Sequence, residues 1–146
     1  GRVMDIDAVC DRIRQDYANF PHHQSYDLYA EDVYFQDPLN RFNGVDRYRD
    51  MIGFIDRWFQ QPQLELHRLE KTSKRTFDTY WTLSWVAPLP WQPAMAIPGW
   101  TNYRLNEAGQ IESHIDYWQC SRWAVLGQVF GFGQDAQNVP QQKTEE

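Results

Sequence analysis

The dominant hydrophobic period of this sequence changes from helical spacing to two near Gln63, and that switch points to a fold in which most helices precede the long strands of a sheet. Before it, apolar residues recur every three or four positions. Val3, Ile6, Val9, Ile13, Tyr17 and Phe20 form one helical stripe, with Asp5 and Asp7 suited to its first turn and Pro21 closing it. Residues 25–30 predict a short second helix with Ser25 as its cap. A third helix opens at Gly44 and carries Val45, Tyr48, Ile52, Ile55 and Phe59 on one face, widened by Met51, Phe54 and Trp58. A brief strand over 33–36 separates the second helix from the third.

After Gln63 the period is two. Leu64, Leu66 and Leu69 mark one long strand, and Phe77, Thr79, Trp81, Leu83 and Trp85 mark another. Residues 88–98 hold four prolines and predict a loop. Residues 100–106 and 111–119 predict two further strands, joined by a turn in which Gly109 suits positive φ. Trp123, Leu126 and Phe130 mark a short terminal helix weakened by Gly127. Helices grouped on one side of an antiparallel meander give an α+β domain, placed at 1–133, with a polar, Gln-rich tail at 134–146.

Charge narrows the function classes. Fourteen basic against twenty acidic residues leave a formal charge of −6 without a basic patch, so nucleic acid is not an expected partner. Cys10 and Cys120 are the only cysteines and are far apart, which makes neither a zinc spacing nor a disulfide framework. No metal, cofactor or membrane span is expected, no signal peptide is evident, and a reducing, cytoplasmic setting follows as the default. Seven Trp, eight Tyr and eight Phe exceed what a core of this size needs, which points to an aromatic-lined cavity or interface.

The segment EDVYFQDP at 31–38 then locates chemistry. Proline ends the strand after Gln36 and leaves the Asp37 carboxylate at its tip. Beside aromatic walls such a group is a candidate general base. The alternative is a turn cap that accepts N–H bonds near Leu39 and Asn40.

Residues 29–33, Asp37-Pro38, Gly44 opening a helix, and RLNEAGQIESHIDYW at 104–118 resemble the nuclear-transport-factor-2-like, or SnoaL-like, superfamily. FQDPLNRFNGVDRY at 35–48 resembles a subgroup of cyanobacteria and plant chloroplasts known as a domain of unknown function. The resemblance covers about residues 5–120 and implies a cystatin-like cone, its curved antiparallel sheet wrapped around three N-terminal helices. Ketosteroid isomerases of this superfamily end the same short strand with Glu-Asp-Pro, which implies a proton-shuttle role for Asp37. Tyr17 is the nearest match to their oxyanion tyrosine. Thr101 stands where they carry a second proton donor, an Asp.

The resemblance also orients the strands. It turns Trp81, Leu83, Trp85, Thr101 and Tyr103 toward the helices, and gives His114, Asp116 and Trp118 one shared face. Three functions are then expected. One is a module binding an apolar or polyaromatic small molecule against Trp81, Trp85, Thr101, Tyr103 and Trp118. Another is a lyase or isomerase using Asp37 with His114, Asp116 and Tyr17. The third is an interaction module, a homodimer through the outer sheet face at Tyr80, Thr82, Trp100, Arg104, Ile115 and Tyr117.

Overall fold

The computed structural model describes residues 5–131. Helix α1 spans Ile6–Asn19 and is capped by Asp5, whose carboxylate accepts from the Ala8 N–H at 2.8 Å. It buries Val9, Cys10, Ile13 and Tyr17, as the stripe requires. Val3 lies outside the described residues. Residues Tyr26–Leu28 make only a single 3-10 turn. The expected helix at 25–30 does not form because Ser25 caps nothing. Its hydroxyl and N–H go instead to the Asp16 carboxylate, at 2.8 and 3.0 Å.

Strand β1 therefore starts early and covers Tyr29–Gln36. Strand β2 is Arg41–Asn43, and helix α2 is Val45–Trp58. Gly44 opens α2 at φ +114°, a backbone conformation that side chains with a Cβ rarely adopt. Four long strands follow: β3 (Gln60–Lys71), β4 (Thr76–Val86), β5 (Ala94–Leu105) and β6 (Ile111–Trp118). Helix α3 spans Arg122–Gln128.

The six strands form one sheet in the order β2-β1-β6-β5-β4-β3. All neighbours are antiparallel except β1 and β6, which run parallel with Phe35 beside His114 and Gln36 beside Ile115. The expected four-strand antiparallel meander is thus a mixed sheet with a further hairpin at one edge. The parallel pairing brings the end of the EDVYFQDP segment next to the His114–Asp116 strand. The architecture is the α+β cone that the resemblance implies, with α1 and α2 on the concave face and the third α-helix at the C-terminal end of the described residues.

Strand β5 corrects the sequence reading at Pro98, which lies inside it and not in a loop. Its pairing with β6 begins only at Gly99, so at Pro98 the strand has a neighbour on one side, and a missing N–H is tolerated there. The free edge before Pro98 is closed by α3. The Gln128 side-chain amide accepts from Ala96 N–H at 2.8 Å and donates to Ala96 C=O at 3.0 Å, as a neighbouring strand would.

The outer sheet face is closed at its centre within the chain. Tyr80 and Trp100 are only 2 % and 6 % exposed. The Arg68 guanidinium lies 4.0 Å over the Tyr80 ring, and Tyr117 stacks on Trp100 at 4.2 Å. Thr82, Ser84, Ile115 and Tyr117 remain half-buried there. Among the described residues no helix is long and apolar enough to cross a membrane.

Candidate functional site

A cavity of about 80 Å³ opens between α1, α2 and the concave face of the sheet. Helix α1 contributes Ile13, Asp16 and Tyr17; α2 contributes Tyr48, Met51, Ile52 and Ile55. From the strands come Tyr29, Leu64, Trp81, Leu83, Thr101, Tyr103, His114 and Asp116. The period-two alternation that aims Trp81, Thr101, Tyr103, His114 and Asp116 inward therefore brings them together.

Asp116 is the hub. Its Oδ1 accepts from Thr101 Oγ1 at 2.5 Å and lies 2.9 Å from His114 Nε2. Thr101 Oγ1 in turn accepts from Trp81 Nε1 at 2.8 Å. On the other side of the ring, Nδ1 lies 3.3 Å from the Tyr29 hydroxyl. Both imidazole nitrogens are thus engaged. His114 is 6 % exposed at its side chain and Asp116 18 %, which makes the carboxylate the more accessible of the pair.

Tyrosines complete the walls. The Tyr17 hydroxyl lies 2.8 Å from both Thr79 Oγ1 and the Tyr103 hydroxyl. Tyr29 and Tyr48 approach to 3.4 Å at their hydroxyls. Burial raises the pKa of all four phenols above the ordinary tyrosine value, so they stay protonated and present neutral ring faces. Asp16 is 5 % exposed, and burial raises its carboxyl as well, opposed by its two bonds from Ser25. Among the described residues no group of three His, Cys, Asp or Glu is placed to hold a metal ion.

Other expected site residues lie elsewhere. Trp85 stacks on Phe59 at 4.4 Å in the core, and Trp118 packs half-buried against the core. Neither lines the cavity. Asp37 does not line it either. Its Oδ1 accepts from Leu39 N–H at 2.8 Å and Asn40 N–H at 2.6 Å, the turn-capping arrangement. No contact joins it to His114 among the described residues.

Asp37 nonetheless combines the two rival expectations. It caps the turn, yet burial raises its pKa, outweighing the bonds from Leu39 and Asn40; the Asp116 charge adds to the rise. A folded pKa above the unfolded one means that the ionised carboxylate costs stability above the folded pKa. That cost vanishes as pH falls below the unfolded value. Asp37→Asn keeps an acceptor for both N–H groups and removes the buried charge. It is expected to match or slightly exceed the native stability at pH 7, read by urea unfolding. An NMR midpoint for Asp37 below the ordinary 3.8 would contradict this account.

Sequence reasoning missed Asp16, Tyr29 and Tyr48 as site residues. Asp16 carries a usable signal: it stands three residues after Ile13 and four before Phe20, within the buried stripe of α1. Tyr29 is hidden by its assignment to a helix.

Comparison with known proteins agrees with this fold. The chain superposes on a polyketide cyclase-like protein of Xanthomonas campestris at TM-score 0.69 and 14 % identity, covering 84 % of this chain and 95 % of that one. An LEH-like epoxide hydrolase of M. tuberculosis matches at TM-score 0.65 and 13 % identity, over 91 % and 94 % of the two chains. A protein of Catenulispora acidiphila with a ketosteroid isomerase-like fold, solved with trimethylamine, matches at 0.66 and 15 %, over 94 % and 97 %. At these identities the likeness is one of fold. No curated protein matches by sequence. Residues 7–114 match the family model of an uncharacterized conserved protein, DUF2358. With that match spanning most of the chain, on a nuclear-transport-factor-2-like cone, the protein belongs to the DUF2358 family.

Proposed function

We propose that the cavity binds a compact organic cation, an alkylammonium group, with Asp116 as its counter-charge. One observation carries the reading: the lining contains two carboxylates, Asp16 and Asp116, and five Tyr or Trp rings, but no Lys or Arg. Ring faces attract a cation through their quadrupole, and desolvation strengthens that attraction. N-methyl groups also match the apolar side chains from α2. A cavity of about 80 Å³ favours a guest far smaller than a drug-sized polyaromatic ligand, whose pockets run to about 300–1,000 Å³. The trimethylamine held by the Catenulispora acidiphila protein is a guest of the proposed class.

A second reading rests on the Asp116 geometry. Thr101 and His114 both hold Oδ1, and no bond reaches Oδ2 among the described residues. A carboxylate fixed in this way beside a cavity suits a proton acceptor, and Asp116 replaces the Asp37–His114 pair as the candidate base. The cyclase-like and epoxide-hydrolase-like proteins of the same fold lend that reading its analogy.

The two readings separate in a titration followed by NMR. Tetramethylammonium is expected to shift the Tyr17, Tyr48, Tyr103 and His114 resonances, and tert-butanol, a neutral guest of similar size, to shift them far less. Asp116→Asn should weaken the ammonium by about 1.5–3 kcal/mol, the range for a contact with a charged group. Equal binding of the neutral guest, or an unchanged affinity in Asp116→Asn, would remove the cation proposal. A homodimer is kept as the expected assembly, the outer sheet face offering it exposed Arg104 and half-buried Thr82, Ser84, Ile115 and Tyr117.

A further inference from the structure

Helix α3 carries apolar residues on both of its sides: Val125, with Val129 at its C-terminal end, packs half-buried against the core, yet large apolar side chains also face out. A surface helix ordinarily turns its apolar residues inward and its polar residues out. Here Gln128 is 3 % exposed and spends its amide on Ala96, while Trp123 is 78 %, Leu126 51 % and Phe130, two residues past the helix, 66 % exposed. These three stand at spacings of three and four and share one side. Trp91 joins them from the β4–β5 loop: it is 57 % exposed, and its Nε1 donates to the Val129 carbonyl at 2.6 Å. Four large apolar side chains in one surface region exceed the scattered exposure that a monomer shows.

The charge distribution says what fits against this surface. The chain carries −6 overall, yet residues 87–103 hold no Asp, Glu, Lys or Arg, and residues 117–131 hold only Arg122. A strongly charged partner finds almost nothing to pair with here. An anionic membrane is repelled by the chain as a whole and meets a single arginine. Two copies of this acidic chain repel each other through most faces, and this is where they approach with the least repulsion. Trp and Phe at the centre, with an Arg beside them, is also the composition of an interface core.

We infer that the surface formed by Trp91, Trp123, Leu126 and Phe130 is the contact between two copies of this chain. The Gln128–Ala96 pair fixes the helix that presents it, so the surface is formed before association. The partner surface thus moves from the centre of the outer sheet face, which Arg68 and Tyr117 already close, to α3 and the β4–β5 loop.

Sedimentation velocity on the full chain tests this at tens of micromolar. A species of twice the chain mass is expected, and Trp123→Asp with Phe130→Asp should weaken association by about tenfold or more. Both side chains are largely exposed, so the fold should survive, checked by circular dichroism. An interface without ion pairs should also hold, or tighten, from low to half-molar salt, a readout that needs no variant. A monomer at these concentrations would overturn the inference. So would a dimer indifferent to both substitutions, a dimer dissolved by salt, or flotation on phosphatidylcholine vesicles that depends on Trp123 and Phe130.

Discussion

Trp81→Ala is expected to lower the unfolding free energy by about 3–5 kcal/mol, the usual cost of truncating a buried large aromatic. The ring is 5 % exposed and lies over Gly99, its register partner on β5. Its loss would leave a void that the rigid sheet beneath cannot close. The effect should extend beyond stability. Trp81 Nε1 donates to Thr101 Oγ1, and Thr101 donates to Asp116, so the substitution also loosens one of the two groups, Thr101 and His114, that position the carboxylate proposed as the cation's counter-charge. Trp81→Phe separates the two consequences. It keeps a six-membered aromatic ring but loses the N–H and part of the indole's bulk, so it should recover part of the stability while the ammonium affinity stays low. Urea unfolding and the NMR titration read the two arms. A loss under about 1 kcal/mol for Trp81→Ala would mean that the ring is not core.

Gly99 should be nearly as intolerant. A Cβ built there meets Trp81 Cη2 at 2.6 Å and the Tyr117 carbonyl oxygen at 2.6 Å. The indole can tilt, but the carbonyl belongs to β6 and is held by the sheet. Gly99→Ala is therefore expected to destabilise by about 1–3 kcal/mol, as overpacking does, and Gly99→Val by more. A double-mutant cycle with Trp81→Ala partitions the strain. Removing the ring relieves one of the two collisions, so Gly99→Ala should cost less in that background but not become free. Full relief would show that the β6 backbone gives way and that only the indole demands glycine.

The cation reading connects these residues to pH. Asp16 has its carboxyl raised by burial, so protonating it removes one of the two negative charges of the cavity. Ammonium affinity should therefore fall as pH drops through the raised carboxyl range, and the fall should be shallower in Asp16→Asn. Isothermal titration across acid pH reads that slope.

Much of this is legible in the sequence because it depends on period. Strand alternation assigns a face two residues at a time, so Trp81, Thr101, Tyr103, His114 and Asp116 fall on inward positions by parity, once the family resemblance says which face is inner. The α1 and α2 stripes need only helical spacing. Local signals fail where a long-range bond overrides them. Ser25 reads as a cap, but the Asp16 carboxylate takes both its hydroxyl and its N–H. Pro98 reads as a strand breaker, but the ladder on one side of β5 starts a residue later. Trp85 and Trp118 have the inward parity and still miss the cavity, because parity does not say how far along a strand the enclosed space reaches.

Local periodicity and turn chemistry are thus enough to set the order of most elements, the α+β class and the two faces of each long strand. What those faces enclose is set by tertiary contacts. The parallel pairing of β1 with β6 brings Tyr29 to His114 across 85 positions, and the folding of α1 onto the sheet brings Tyr17 to Thr79 and Tyr103 across 62 and 86. Asp116 becomes a hub because Thr101 and His114 converge on one oxygen. The burial of Gln128 on α3 likewise follows from an unfilled edge of β5 that its amide completes. These contacts join residues far apart in the chain, where no local propensity acts, and are fixed by how the sheet curves and which edges it leaves unpaired.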